Sequence, residues 1–172
     1  MANHLIARPP MPGYARLRFV SSERNWLSEL IRWRTMGEVS HVENVLPDGS
    51  IIGAYGDGVK QIPGDTDLGY TTQRFVDILM TQDSLDRWQD YLKSRLGRPY
   101  DYSAIAGFLV HANWRHPRAF ICSMLSTLSL RPPGTFPRPL SEPAHEISPR
   151  DLLLILSAHP AAKIGQLERL SP

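Results

Sequence analysis

Residues 40–55 constrain this chain more than any other segment. Residues 40–46 (SHVENVL) and 50–55 (SIIGAY) are two strand-like runs, and Pro47-Asp48-Gly49 lies between them. Asp-Gly between two such runs signals a hairpin, because the turn needs positive φ and glycine adopts it without a Cβ clash. A hairpin implies an antiparallel sheet, and one face of that sheet must be buried against another layer. Residues 16–20 (RLRFV) alternate polar and apolar as a half-buried first strand does. Residues 59–62 and 72–79 (TQRFVDIL) continue the set after a turn at residues 56–58.

The second layer is helical. Residues 22–35 place Trp26, Leu27, Leu30, Ile31 and Arg34 at helical spacing, with Gly37 as the stop. Asp83 or Ser84 caps a helix running to about Leu96 and closed by Gly97. Residues 102–110 form a short apolar helix, and residues 122–130 (CSMLSTLSL) another. Ser148-Pro149-Arg150-Asp151 is a strong helix start, with Ser at the cap, Pro at the first position and Asp at the third. The expected class is therefore α+β, a small antiparallel sheet with helices packed on it.

With 172 residues the chain is one domain's worth, since domains usually run to roughly 100–150 residues. Residues 1–15 read as an extended Pro-rich arm, because Pro9, Pro10 and Pro12 lack backbone donors. Residues 16–160 read as a single domain that includes a Pro-rich surface loop at 131–147. Residues 161–172 form a tail with little pattern. The arm and the loop are of the kind that lies along a partner chain and orders on binding.

Composition excludes several functions. One cysteine, Cys122, precludes an internal disulfide framework and a Cys-rich zinc site. Lys plus Arg number 19 against 17 for Asp plus Glu, which is no footprint for nucleic acid. No run approaches the roughly 20 apolar residues of a membrane span. The first fourteen residues lack the apolar core of a signal peptide, so a cytoplasmic product with a reduced thiol is expected.

Cys122 stands where Ala119-Phe120-Ile121 meets a helix start. A thiol there feels the positive end of the helix dipole, which favours thiolate. Arg115, Arg118, Arg131 and Arg138 surround it in sequence with no acid between residues 111 and 138. A lone cysteine is more often a small buried hydrophobe, so a nucleophile needs a base as well. His41 opens a strand and titrates near neutrality. Glu43, two residues on, points to the same face. His4, His111, His116, His145 and His159 show no recognisable metal spacing. Trp26, Trp33, Trp88 and Trp114 read as core or interface anchors.

Ser40-His41-Val42 before a hairpin, Gly53-Ala54-Tyr55-Gly56-Asp57-Gly58-Val59, then Gly97-Arg98-Pro99-Tyr100-Asp101-Tyr102 and Phe120-Ile121-Cys122-Ser123 form an ordered series of short motifs. In that order they resemble the circularly permuted NlpC-type papain-like cysteine hydrolases, the group of YiiX/YebB-like proteins and lecithin:retinol acyltransferase relatives. The glycine-rich segment looks particularly like phage-borne members. The resemblance covers residues 16–130. It implies a permuted papain-like fold, with Cys122 as nucleophile, His41 as base, and Tyr100 beside the cysteine as an oxyanion donor along with the Cys122 N–H. Two departures stand out. The family's Cys-Ser-Glu-Leu is here Cys122-Ser123-Met124-Leu125, and the third polar residue expected about a dozen positions after His41 falls near Gly53. Either Glu43 substitutes for it, with Asp57 behind, or the site is a Cys122–His41 dyad, or the activity is lost.

The resemblance implies amide hydrolysis, with cell-wall peptides as first substrate class and lipid acyl chains second, and no cofactor or metal. A phage particle would carry such an enzyme to its substrate without a signal peptide. The alternative is a virion structural or assembly protein that keeps the fold without the chemistry.

Overall fold

The computed structural model describes residues 5–22, 38–103, 120–132, 134–136, 140 and 143–170. The helix expected over 22–35 and most of that over 102–110 lie outside the described residues. So do Trp26, Trp33, Trp114 and the arginines at 115, 118 and 138.

Among the described residues seven strands form one antiparallel sheet. They are β1 (Tyr14–Ser21), β2 (His41–Val45), β3 (Ile51–Tyr55), β4 (Gly58–Ile62), β5 (Thr72–Leu79), β6 (Ala162–Ile164) and β7 (Glu168–Arg169). Their order is β4-β3-β2-β1-β5-β6, and β7 also pairs with β5. The hairpin forms where the Asp-Gly signal put it. Gly49 has φ 84°, and the Asp48 carboxylate accepts from the Ser50 N–H at 2.9 Å. Among the described residues there are three helices: α1 (Gln82–Lys93), α2 (Cys122–Ser129) and α3 (Pro149–Ser157). The class is α+β, as the alternation of patterns implies.

One sheet face presents Ala15, Leu17, Phe19, Val42, Ile52 and Val76 to the helices, which answer with Trp88, Leu125, Leu152 and others. All of these are fully buried. Each large apolar side chain so buried contributes about 1.5–3 kcal/mol. Asn44 joins the two layers: its amide donates to Ser126 Oγ of α2 at 3.0 Å and to the Ile52 carbonyl of β3 at 3.2 Å. Ser126 is one turn beyond Cys122, so this bond aligns the start of α2 with β2.

α1 starts two residues earlier than its sequence suggests. Thr81 is the cap and accepts from the Ser84 N–H, while Asp83 sits in the first turn. α3 starts at Ser148 with a reciprocal capping box to Asp151 and Pro149 at the first position. Ser148→Ala should therefore cost about 1 kcal/mol of stability, read as a lower urea midpoint with an unchanged slope.

The chain ends differ from the sequence reading. The sheet starts at Tyr14, and residues 5–9 lie on this domain's own sheet. Ala7 is buried against Val45, Ile51 and Phe75. Pro9, Pro10 and Pro12 lack N–H donors, but the Ala7 N–H donates to the Gly64 carbonyl at 2.9 Å and the segment's carbonyls accept. Leu5 O takes Arg18 Nη2 at 2.7 Å, and Arg8 O and Pro9 O take Arg16 Nη1, each at 2.9 Å. The patternless tail supplies β6 and β7, which occupy the free edge of β5. Strands of three and two residues are too short to show a period.

Candidate active site

The site forms where β2 begins and α2 begins. Cys122 is the first residue of α2, after Ile121 in extended conformation with no side-chain cap. The backbone N–H groups of Ser123 and Val42 both hydrogen-bond its sulfur. The His41 side chain interacts with the same thiol by charge and by a side-chain hydrogen bond. The two residues, 81 positions apart in sequence, therefore meet.

Burial penalises charge on both groups, and their mutual attraction together with neighbouring groups outweighs it. For Cys122, burial raises the pKa, but the His41 charge, the His41 hydrogen bond and the two backbone N–H groups bring it below the ordinary thiol value. For His41, burial lowers the pKa, but the thiolate, its hydrogen bond and the Glu43 charge carry it above the ordinary imidazole value, against Arg18. Both shifts favour a thiolate–imidazolium pair. The Cys122 residue is only 4 % exposed and the His41 side chain 17 %.

Glu43 is on the face of His41, as two-residue spacing demands, but makes no hydrogen bond to it. His41 Nε2 lies 3.7 Å from Glu43 Oε1 and has no hydrogen-bond partner. The thiol bond therefore falls to Nδ1. Glu43 is fully buried, and its oxygens are taken by others. Oε1 accepts from the Tyr55 hydroxyl at 3.0 Å and the Tyr70 hydroxyl at 2.8 Å. Oε2 faces Arg18 Nη1 at 3.3 Å. Burial raises both phenol pKa values and the Glu43 charge adds to it, so both tyrosines are donors. Their rings flank the imidazole, with centroids 5.5 and 6.2 Å away.

The sequence reading missed Tyr55, Tyr70 and Arg18. Tyr55 had a signal. Continuing the β2–β3 register from Asn44↔Ile52 sets Gly53 across from Glu43 and Tyr55 across from His41. Gly53 is also why the Tyr55 hydroxyl gets there: a Cβ at 53 would meet Tyr55 Cζ and Oη at 2.9 Å. The position lacking a third polar side chain is thus filled by the phenol of its neighbour two residues on. Tyr70 and Arg18 had no such signal.

Tyr100 lies near the thiol. Burial raises its pKa first and the Cys122 charge next, so it keeps its proton. It is held by a parallel bridge to Phe120 and by the edge of Tyr102. Asp57 is not part of the site: it pairs with Lys60 and is largely exposed. His145 pairs with Glu146, and His159 bonds the Thr135 carbonyl.

No family model and no curated protein matches this chain. Its fold is similar to that in the crystal structure of the metalloprotein YiiX from Escherichia coli O157:H7. The two chains are 17 % identical with a TM-score of 0.58, and the match covers 93 % of this chain and 99 % of YiiX. Among the described residues no group of three or more His, Cys, Asp and Glu side chains could hold a metal ion. Glu43, the acid whose charge acts on His41, is already turned to two phenols and a guanidinium. These residues do not fit a metal. No helix among the described residues is long and apolar enough to cross a membrane.

Proposed function

We propose that this protein is a cysteine hydrolase of the permuted papain-like, NlpC-type kind that cleaves amide bonds, with cell-wall peptides as the substrate class. The observation that carries this is the direct pairing of Cys122 with His41 at a helix start, each shifting the other towards its charged form. The order of the elements supports the permuted reading, since the histidine strand β2 precedes the cysteine helix α2.

The chemistry follows from the pair. The Cys122 thiolate attacks the carbonyl carbon and a C–S bond forms as the oxygen takes negative charge. The Cys122 N–H, in the first turn of α2 where helix N–H groups have no intrahelical acceptor, and the protonated Tyr100 hydroxyl are the donors for that oxyanion. His41 then gives its Nδ1 proton to the leaving nitrogen as the C–N bond breaks. Neutral His41 next takes a proton from water, the hydroxide attacks the thioester, and the thiolate leaves. No step needs a cofactor.

The assembly-protein alternative drew on a free N-terminal arm. The described part of that arm is engaged by Arg16 and Arg18 of its own sheet, which favours the enzymatic reading.

The test is to incubate the purified protein with peptidoglycan and count new amino groups, beside protein alkylated at Cys122. Release that alkylation stops is the expected result. No release from peptidoglycan, together with release of acyl chains from lipid, would move the substrate class to esters or lipid amides. No release from either would overturn the hydrolase reading.

A further inference from the structure

Glu43 Oε1 accepts two phenol hydrogen bonds, at 2.8 and 3.0 Å, while the buried His41 Nε2 stands 3.7 Å away from it without a partner. An imidazole N–H and a carboxylate side by side in a buried site ordinarily bond, because both are costly to leave unmet. A carboxylate oxygen offers two lone-pair sites, and here both are occupied. The second oxygen is turned to Arg18. We propose that Tyr55 and Tyr70 are positioning residues that fill the acceptor sites of Glu43 Oε1 and so hold the carboxylate just short of a hydrogen bond to His41.

This rests on the reading of Cys122 and His41 as nucleophile and base. Its chemical sense lies in the two duties of His41. The imidazolium must be stable enough to leave Cys122 as thiolate, yet acidic enough to protonate a leaving nitrogen. A full Glu43–His41 hydrogen bond would strengthen the first at the expense of the second. Two phenols on the shared oxygen leave Glu43 acting through charge alone, and the flanking rings orient the imidazole in place of that bond. Gly53 is part of the device, since only a residue without a Cβ admits the Tyr55 ring at this point.

The groups that act on the pair come from five places: Arg18 on β1, Glu43 on β2, Tyr55 on β3, Tyr70 ahead of β5, and Tyr100 beside α2. The experiment titrates the Cys122 thiolate by its ultraviolet absorbance, as the difference from Cys122→Ala, so the buried thiol needs no reagent. Tyr55→Phe frees one site on Oε1, lets it close on His41, and should lower the thiol midpoint by about 0.5–1 pH unit. Tyr70→Phe should act in the same direction. In a Glu43→Gln background neither change should move the midpoint, because no carboxylate is left to close. Gly53→Ala, which displaces the Tyr55 ring, should reproduce Tyr55→Phe.

A midpoint that rises or stays in place in both Phe variants overturns the proposal. Collapse of both folds, read by circular dichroism, overturns it too, since the hydroxyls would then serve the core. His41→Ala separates this from the parent reading. If that change leaves the thiol midpoint where it was, the Cys122–His41 pairing itself fails. If it raises the midpoint while the Phe variants do nothing, only the role of the tyrosines fails.

Discussion

If the proposed hydrolase reading holds, Cys122→Ala should abolish amide hydrolysis, and His41→Ala should reduce kcat/KM by about 10²–10⁴-fold, the usual range for a lost general acid–base group. The first removes the atom that bonds to the substrate. The second removes both the charge that lowers the thiol pKa and the proton destined for the leaving nitrogen. The pH profile of the unaltered protein should carry the same signature. Activity should rise as Cys122 loses its proton, and because that pKa is lowered the acid limb is expected below the range of an ordinary thiol. Activity should fall as His41 loses its proton, and because that pKa is raised the alkaline limb is expected above the ordinary imidazole range. The shifts should widen the active window at both ends. In His41→Ala the acid limb should move up towards the ordinary thiol range. A limb that stays put would show that the helix start and the Val42 and Ser123 N–H groups alone set the thiol.

Arg18→Ala destabilises the fold by about 3–5 kcal/mol, because it strands a buried carboxylate. Arg18 and Glu43 are both fully buried and paired at 3.3 Å. The guanidinium also donates to Gln73 Oε1 at 2.8 Å and to the Leu5 carbonyl at 2.7 Å, and lies over the Tyr70 ring. One substitution therefore loosens β1, β5 and the N-terminal segment together. Urea denaturation should show a much lower midpoint. The double variant Arg18→Met, Glu43→Gln should recover part of the loss, since it leaves no unpaired charge inside. If the double variant is as unstable as the two single losses added, the pair is not coupled and the packing of Arg18 is what matters.

Much of the site was legible from local pattern. Asp48-Gly49 located the hairpin, the Phe120-Ile121-Cys122-Ser123 motif located the helix start, and two-residue spacing put Glu43 on the face of His41. Tyr55 was also within reach, since the hairpin register that pairs Gly53 with Glu43 pairs Tyr55 with His41. What was not legible is the company Glu43 keeps. Arg16 and Arg18 alternate with Leu17 and Phe19, which reads as a solvated face. Arg18 is nevertheless completely buried, among Leu5, Glu43, Tyr70 and Gln73. Tyr70 sits in a connecting segment with no period, and β7 is two residues long.

The sequence by itself determined the α+β class, the Asp48-Gly49 turn, the Ser148 cap of α3, and the chain order of histidine strand and cysteine helix. Each depends on residues within a few positions of one another: a glycine at positive φ, a Ser-to-Asp capping box, an alternation of apolar side chains. The tertiary structure decided which polar groups are buried and what they touch. It laid the N-terminal segment over Arg18, set the edge of β5 against the chain's last strands, and let the missing Cβ of Gly53 admit a phenol that reaches Glu43. Burial is a property of what lies on top, and what lies on Arg18 and Glu43 comes from parts of the chain remote in sequence. Local pattern carries no information about that distance, and so the carboxylate beside His41 was visible while its restraint was not.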